Sequence, residues 1–326
     1  MPSLASEHEK ESQMKTKRFQ FLLLSITLVF APITCRAEIT VSLKKVFVQQ
    51  FKDKATISTK FRIDQHHNSA NPIGSGSKDG DIHIAGRDSV VKLPMVSEII
   101  NGKKENSALK FLLTTTSGQS VNLTGVWRLW FEHPGSADQI QGTTVPPADD
   151  TNPDHIFEFH PVVQFGTFNL LDSFAPIKNG SKEFRGYPAE TAFPAYEKRP
   201  AVITVSNSAI MISSTKAAYN YAEFEMRLAG KPKDVGDGFI VFANVYSIGS
   251  GDDDDPLFEA TRRMVFVKGS APAEAVEKLK KGDRLQVLGI PRVNLNEVFA
   301  IASGLHGDEV FDETLPYEMI IVAILK

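Results

Sequence analysis

The chain has 326 residues, 36 Lys and Arg against 39 Asp and Glu, 42% hydrophobic residues and one cysteine. Its length leaves room for two domains of ordinary size. The single Cys35 excludes a disulfide within the chain, and the mildly acidic balance removes the usual electrostatic driver of undirected nucleic-acid binding.

At the N-terminus, Lys15, Lys17 and Arg18 precede an apolar run from Phe19 to Ile33, and Cys35-Arg36-Ala37 follows. This order of charge, apolar core and small residues predicts a signal peptide over residues 1–37 and an exported protein, periplasmic or extracellular. Ser25, Thr27 and Pro32 interrupt the core and no stop-transfer charges follow it, so no transmembrane segment is expected in the mature chain. Removing residues 1–37 leaves 31 basic against 36 acidic side chains, a net charge of −5.

From Ile39 onward, period-two alternation predicts strands. Ile39-Val41-Leu43 and Ile57-Thr59-Phe61-Ile63 each offer one apolar face. A Gly/Ser/Asn-rich loop covers 68–80, and alternation resumes at Ile82-Ile84. Stretches 109–115, 121–131 and 156–165 are rich in branched and aromatic residues and read as strands, with a polar loop over 134–153. Residues 90–101 read as the one short helix. Together, residues 38–171 form a first β-barrel-like domain. Pro, Gly and scattered aromatics mark 172–200 as a connector, one whose Phe174, Phe184, Tyr187, Phe193 and Tyr196 pack on a domain.

Beyond it, 223–228, 239–247 and 263–268 read as strands, 272–281 as a helix with Pro272 in its first turn and Gly282 at its end, and 283–293 and 317–325 as strands. Three strands, a helix and two strands is the order of an OB-fold barrel. The runs Val265-Phe266-Val267-Lys268-Gly269, Glu277-Lys278-Leu279-Lys280-Lys281-Gly282 and Asp283-Arg284-Leu285-Gln286-Val287-Leu288-Gly289 resemble the corresponding segment of single-stranded-DNA-binding proteins, over residues 202–326. The resemblance implies an OB-like domain over 201–326 and nucleic acid as one possible partner. The segment departs from that family in being mildly acidic and in lacking tryptophan. The fold expected is mainly β: two tandem OB-like β-barrels, the second with one helix between strands three and four.

Six of the eight histidines fall between residues 66 and 160. A strand puts Asp81 and His83 on one face, and Glu158 and His160 on one face opposite Phe157 and Phe159. Two readings stand. Asp81, His83, Glu158 and His160, with Glu132 or His133 nearby, are the nitrogen and oxygen donors of a divalent metal site for Zn²⁺ or Mn²⁺; or they are the polar outer faces of half-buried strands. Arg128, Trp130 and Glu132 line one face of the 126–133 strand, and since Trp127 can fill the core, Trp130 is the residue expected to stack on a ligand. The acidic run 252–255 reads as a solvated loop balanced by Arg262 and Arg263. No P-loop, dinucleotide-binding glycine turn or Gly-x-Ser-x-Gly elbow is present.

The sequence therefore favours a non-enzymatic exported binding protein, without a cofactor, whose ligand (oligonucleotide, oligosaccharide or envelope protein) meets Arg128, Trp130 and Glu132. The alternative is a metal-dependent hydrolase of phosphodiesterase or nuclease type built on the His/carboxylate cluster.

Overall fold

Alternation places a first strand, β1 (Ile39–Lys44), with Ile39, Val41 and Leu43 inward, and the helix α1 (Lys45–Phe51) comes next, burying Phe47, Val48 and Phe51. The structure is a computed structural model and describes residues 38–74, 78–251 and 254–325. The expected signal peptide lies outside the described residues. The five strands β2 (Thr56–His66), β3 (Ile82–Asp88), β4 (Met95–Ile99), β5 (Ser120–His133) and β6 (His155–Phe165) close a barrel. Antiparallel pairs β2–β3, β3–β4, β5–β6 and β2–β5 are completed by the parallel pair β4–β6, and α2 (Asn106–Leu112) falls between β4 and β5.

The connector contains α3 (Ala189–Glu197), and β7 (Pro200–Val205) and β8 (Ala209–Ser214) come after it. The second barrel comprises β9 (Ala222–Leu228), β10 (Gly238–Tyr246), β11 (Arg262–Val267), α4 (Ala271–Val276) and β12 (Arg284–Val293). After α5 (Leu295–Gly304) and the outlying strand β13 (Phe311–Thr314), β14 (Tyr317–Ile324) completes it. It closes with the same connectivity as the first: antiparallel throughout except for the parallel pair of its third and fifth strands, β11 and β14. The protein is mainly β, with two closed five-stranded, OB-like barrels in tandem, each with a helix between its third and fourth strands. Ser270 caps α4 by accepting a hydrogen bond from the Ala273 amide at 3.3 Å.

Three local expectations are corrected. Residues 90–101 hold β4, not a helix; every residue from Met95 to Ile99 is buried, so neither face is solvent-exposed and the period-two signal vanishes. The helix lies at Asn106–Leu112, overlapping the stretch read as a strand; Ala108 and Leu112 are its buried residues, one turn apart. The second-barrel helix ends at Val276, shorter than read.

A smaller sheet runs outside both barrels. β1 pairs with β8, β8 with β7 and β7 with β13, all antiparallel, while Gln139–Ile140 lies parallel to β1 on its free edge. Elements from before the first barrel, between the barrels and within the second thus share one sheet, and the described residues belong to one compact unit. Phe174, Phe184, Phe193 and Tyr196 of the connector are buried, while Tyr187 stays exposed.

The barrels meet where β5 faces β12. Arg292 donates to the carbonyl of Trp127 at 2.9 Å and stacks 3.5 Å from the Trp127 ring centroid. Its Nε donates to Glu318 Oε1 at 2.6 Å, and Glu318 Oε2 accepts from Arg263 at 2.5 Å. Arg263 also reaches Asp53, and Arg262 pairs with Glu197. These arginines therefore hold the seam and the connector instead of balancing the acidic run, of which residues 252 and 253 lie outside the described residues. Among the described residues, no helix is long and apolar enough to cross a membrane.

Candidate functional site

The register of the first barrel sets the expected polar residues in one row. His83 on β3 lies opposite Glu98 on β4; Val96 of β4 lies opposite Glu158 of β6; and Glu158 lies opposite Arg128 on β5. Ile82, Ile84, Phe157 and Phe159 on the opposite faces enter the main core. The polar face is not solvated. Tyr219–Tyr221 and the connector roof it, with the Tyr221 hydroxyl 2.9 Å from His160 Nε2 and Tyr196 packed edge-on to Trp130. What remains is an open cavity of about 310 Å³ over Asp79, Asp81, His83, Glu98 and Glu132, rimmed by His133, Tyr187, Tyr219 and Asn220.

Asp79 and Asp81 flank Gly80, which has a φ of 74°, and a Cβ there would meet Ile73 Cγ1 at 2.6 Å. Glycine thus permits the turn that brings both carboxylates to the start of β3. Asp81 Oδ2 lies 2.5 Å from His83 Nε2, and Asp81 Oδ1 accepts from Asn71 at 2.7 Å. Glu98 spans the site. Its Oε1 is 3.5 Å from His83 Nε2 and its Oε2 is 3.0 Å from His160 Nδ1. Ligand atoms of Asp81, His83 and Glu98, and separately of Asp79, Glu98 and His160, all lie within 4.8 Å of one another. Ligands of a tetrahedral zinc ion, about 2.0–2.2 Å from the metal, stand about 3.3 Å apart, so small side-chain adjustments bring either group into coordination.

Burial pushes Asp79 and Glu98 well above the ordinary carboxylate range, and neighbouring carboxylates push the same way. Asp81 is buried too, but the hydrogen bond and charge of His83, with the Asn71 hydrogen bond, bring it below that range. Burial alone would depress His83; Glu98, Asp81 and Asp79 overcome it and push the imidazole up to about 10. Burial depresses His160, with the Arg128 charge acting in the same direction, whereas Glu158 opposes. Glu158 is held well below its usual value against its own burial by Arg128, His155 and His160. Around this core, His67 stacks on His83 at 4.6 Å and accepts the His83 amide proton on Nδ1 at 3.2 Å. His155 Nε2 sits 3.0 Å from Glu158. Asp79 Oδ1 and His83 Nδ1, both buried, have no hydrogen-bond partner among the described residues.

Asp81, His83, Glu158 and His160 therefore belong to one network, and Arg128 and Glu132 join it through Glu158 and the Arg128–Glu132 pair at 3.0 Å. The binding platform expected from Arg128 and Trp130 is corrected. Both are fully buried: Arg128 pairs with Glu158 and Glu132 and donates to the Pro291 carbonyl of the second barrel, and Trp130 is enclosed by Tyr196 and Arg199. Trp127 does fill the core, but the connector buries the outer face of β5 as well, so Trp130 has no exposed face on which a ligand could stack. Of that trio only Glu132 reaches the cavity.

Asp79, Glu98 and the Tyr219–Tyr221 roof escape sequence reasoning. Asp79 was legible in Asp79-Gly80-Asp81, since a glycine between two aspartates is a turn signal. No family model matches the chain, and no curated protein matches its sequence.

Proposed function

We propose that this is an exported metal-dependent hydrolase whose first barrel binds a divalent cation, Zn²⁺ or Mn²⁺, through Asp79, Asp81, His83, Glu98 and His160. The observation that carries this reading is a buried carboxylate oxygen, Asp79 Oδ1, without a partner, at an open cavity where carboxylates outnumber cations. A buried carboxyl oxygen that accepts no hydrogen bond is costly, and a cation removes that cost. The cavity matters equally. A structural ion is closed off by protein ligands, whereas a catalytic one keeps positions open to water and substrate. A bound ion would lower the pKa of its water and polarise a phosphoryl or acyl oxygen. Asp81 would be oriented by Asn71, His160 by Tyr221 at its Nε2, leaving Nδ1 for the ion, and Glu158 by Arg128 and His155.

Among the described residues no Lys or Arg lines the cavity, so an anionic substrate such as a phosphodiester would be held through the ion. The binding-protein reading retains one support, the T-shaped pair of Tyr187 and Tyr219 at the rim, with ring centroids 4.8 Å apart. Tyr219 has a φ of 63°, a left-handed conformation a bulky residue rarely adopts, and strained residues concentrate at ligand sites. Export is supported by the N-terminal pattern; sequencing the protein recovered from its source should give a start near Glu38.

The function is tested by elemental analysis of untagged protein and by hydrolysis of a chromogenic phosphodiester with and without chelator. Stoichiometric zinc or manganese with chelator-sensitive turnover is expected. Metal-free protein after incubation with either ion and dialysis would overturn the proposal, and bound metal without turnover of phosphodiesters or carboxylic esters would reduce it to metal-dependent binding.

A further inference from the structure

Resting on the metal reading above, we infer that the pocket holds two divalent ions bridged by Glu98, and that the pair receives an oxyanionic group such as a phosphate ester. Glu98 is the residue common to both ligand groups, and its two oxygens diverge: Oε1 faces His83 and Asp81, and Oε2 faces His160. A carboxylate used through both oxygens sets two ions at the roughly 3.5–4 Å spacing of two-metal hydrolytic sites. Each ion would have its own carboxylate and imidazole, Asp81 and His83 for one and Asp79 and His160 for the other. Asp79 Oδ1 has no partner among the described residues, and its side chain lines the cavity. One ion held by Asp81, His83 and Glu98 would leave that oxygen unmatched.

Charge balance points the same way. Among the described residues, Asp79, Asp81, Glu98, Glu132 and Glu158 have Arg128 as the one permanent cation in this network, and the imidazoles that bind ions do so neutral. With all five carboxylates ionised, one divalent ion leaves a double negative charge under a cavity that no described Lys or Arg lines, and two bring the site to neutrality. A neutral site presenting two Lewis acids at its open face accepts an oxyanion, whereas the same cavity with one ion repels it.

Native mass spectrometry and electron paramagnetic resonance of the full chain titrated with Mn²⁺ test the inference. Two ions per chain with an exchange-coupled spectrum are expected, falling to one ion with an isolated six-line spectrum in Asp79→Asn. Inorganic phosphate should perturb the coupled spectrum of the wild type. One ion per chain with an uncoupled spectrum at saturating Mn²⁺ would overturn the two-ion inference and leave the single-metal reading standing. No bound ion would overturn both. Because the wild-type count decides, the test does not depend on a variant folding.

Discussion

Two of the places where the molecule buries charge are built on opposite rules. At the seam between the barrels, Glu318 offers one oxygen to Arg292 and the other to Arg263, and the remaining Arg292 nitrogens donate to carbonyls of Lys54, Ala55 and Trp127. Burial lowers the Arg292 pKa to about 10 even with Glu318 beside it, so the guanidinium stays charged at neutral pH. In the pocket, carboxylates outnumber Arg128, and Asp79 Oδ1 has no partner. Satisfied charge fixes geometry; unsatisfied charge creates affinity for something not supplied by the chain.

The same isosteric change therefore has opposite consequences at the two places. Glu318→Gln should cost about 3–5 kcal/mol in urea unfolding, because it strands two buried guanidinium groups. Loading the wild type with zinc at a hundredfold excess over its dissociation constant should stabilise it by about 2.7 kcal/mol, and chelator should reverse the gain in a thermal melt. Gly80→Ala should cost about 1–2 kcal/mol and weaken metal binding, since its left-handed backbone and the contact with Ile73 both oppose a Cβ. Glu98→Gln measured in chelator is the smallest effect and the most telling: it should be neutral or stabilise by up to about 1 kcal/mol, because it removes one of several repelling carboxylates. If Glu98→Gln in chelator costs as much as Glu318→Gln, the pocket is a satisfied network like the seam and the contrast fails.

The second barrel was legible because most of its strands announce themselves and Pro272 marks the start of its helix. The first was legible only in part. Strands with one dry and one wet face alternate, as Ile39-Val41-Leu43 does, but β4 is buried on both sides and Met95-Val96-Ser97-Glu98-Ile99 carries no period. That hid Glu98 inside an expected helix. The pairing of Asp81 with His83 and of Glu158 with His160 was readable, because each lies within a single strand. Their convergence was not, because it depends on the parallel β4–β6 pair that closes the barrel. Trp130 misled for a related reason: a strand's face was assigned to solvent when a connector some sixty residues later covers it.

The small sheet beside the barrels has a consequence for how the chain reaches this state. β1 pairs with β8 in a register that sets Ile39 against Ser214 and Lys44 against Ala209. Both barrels are assembled from segments contiguous in sequence, whereas β1 must wait for a partner more than 160 residues downstream. Pairings so distant form late and slowly, because the chain entropy of closing so large a loop must be lost before the contact returns anything. The strands of the first barrel, which carry Asp81, His83, Glu98 and Glu158, have thus all emerged before β1 can pair with β8, and capture of the first strand follows their closure.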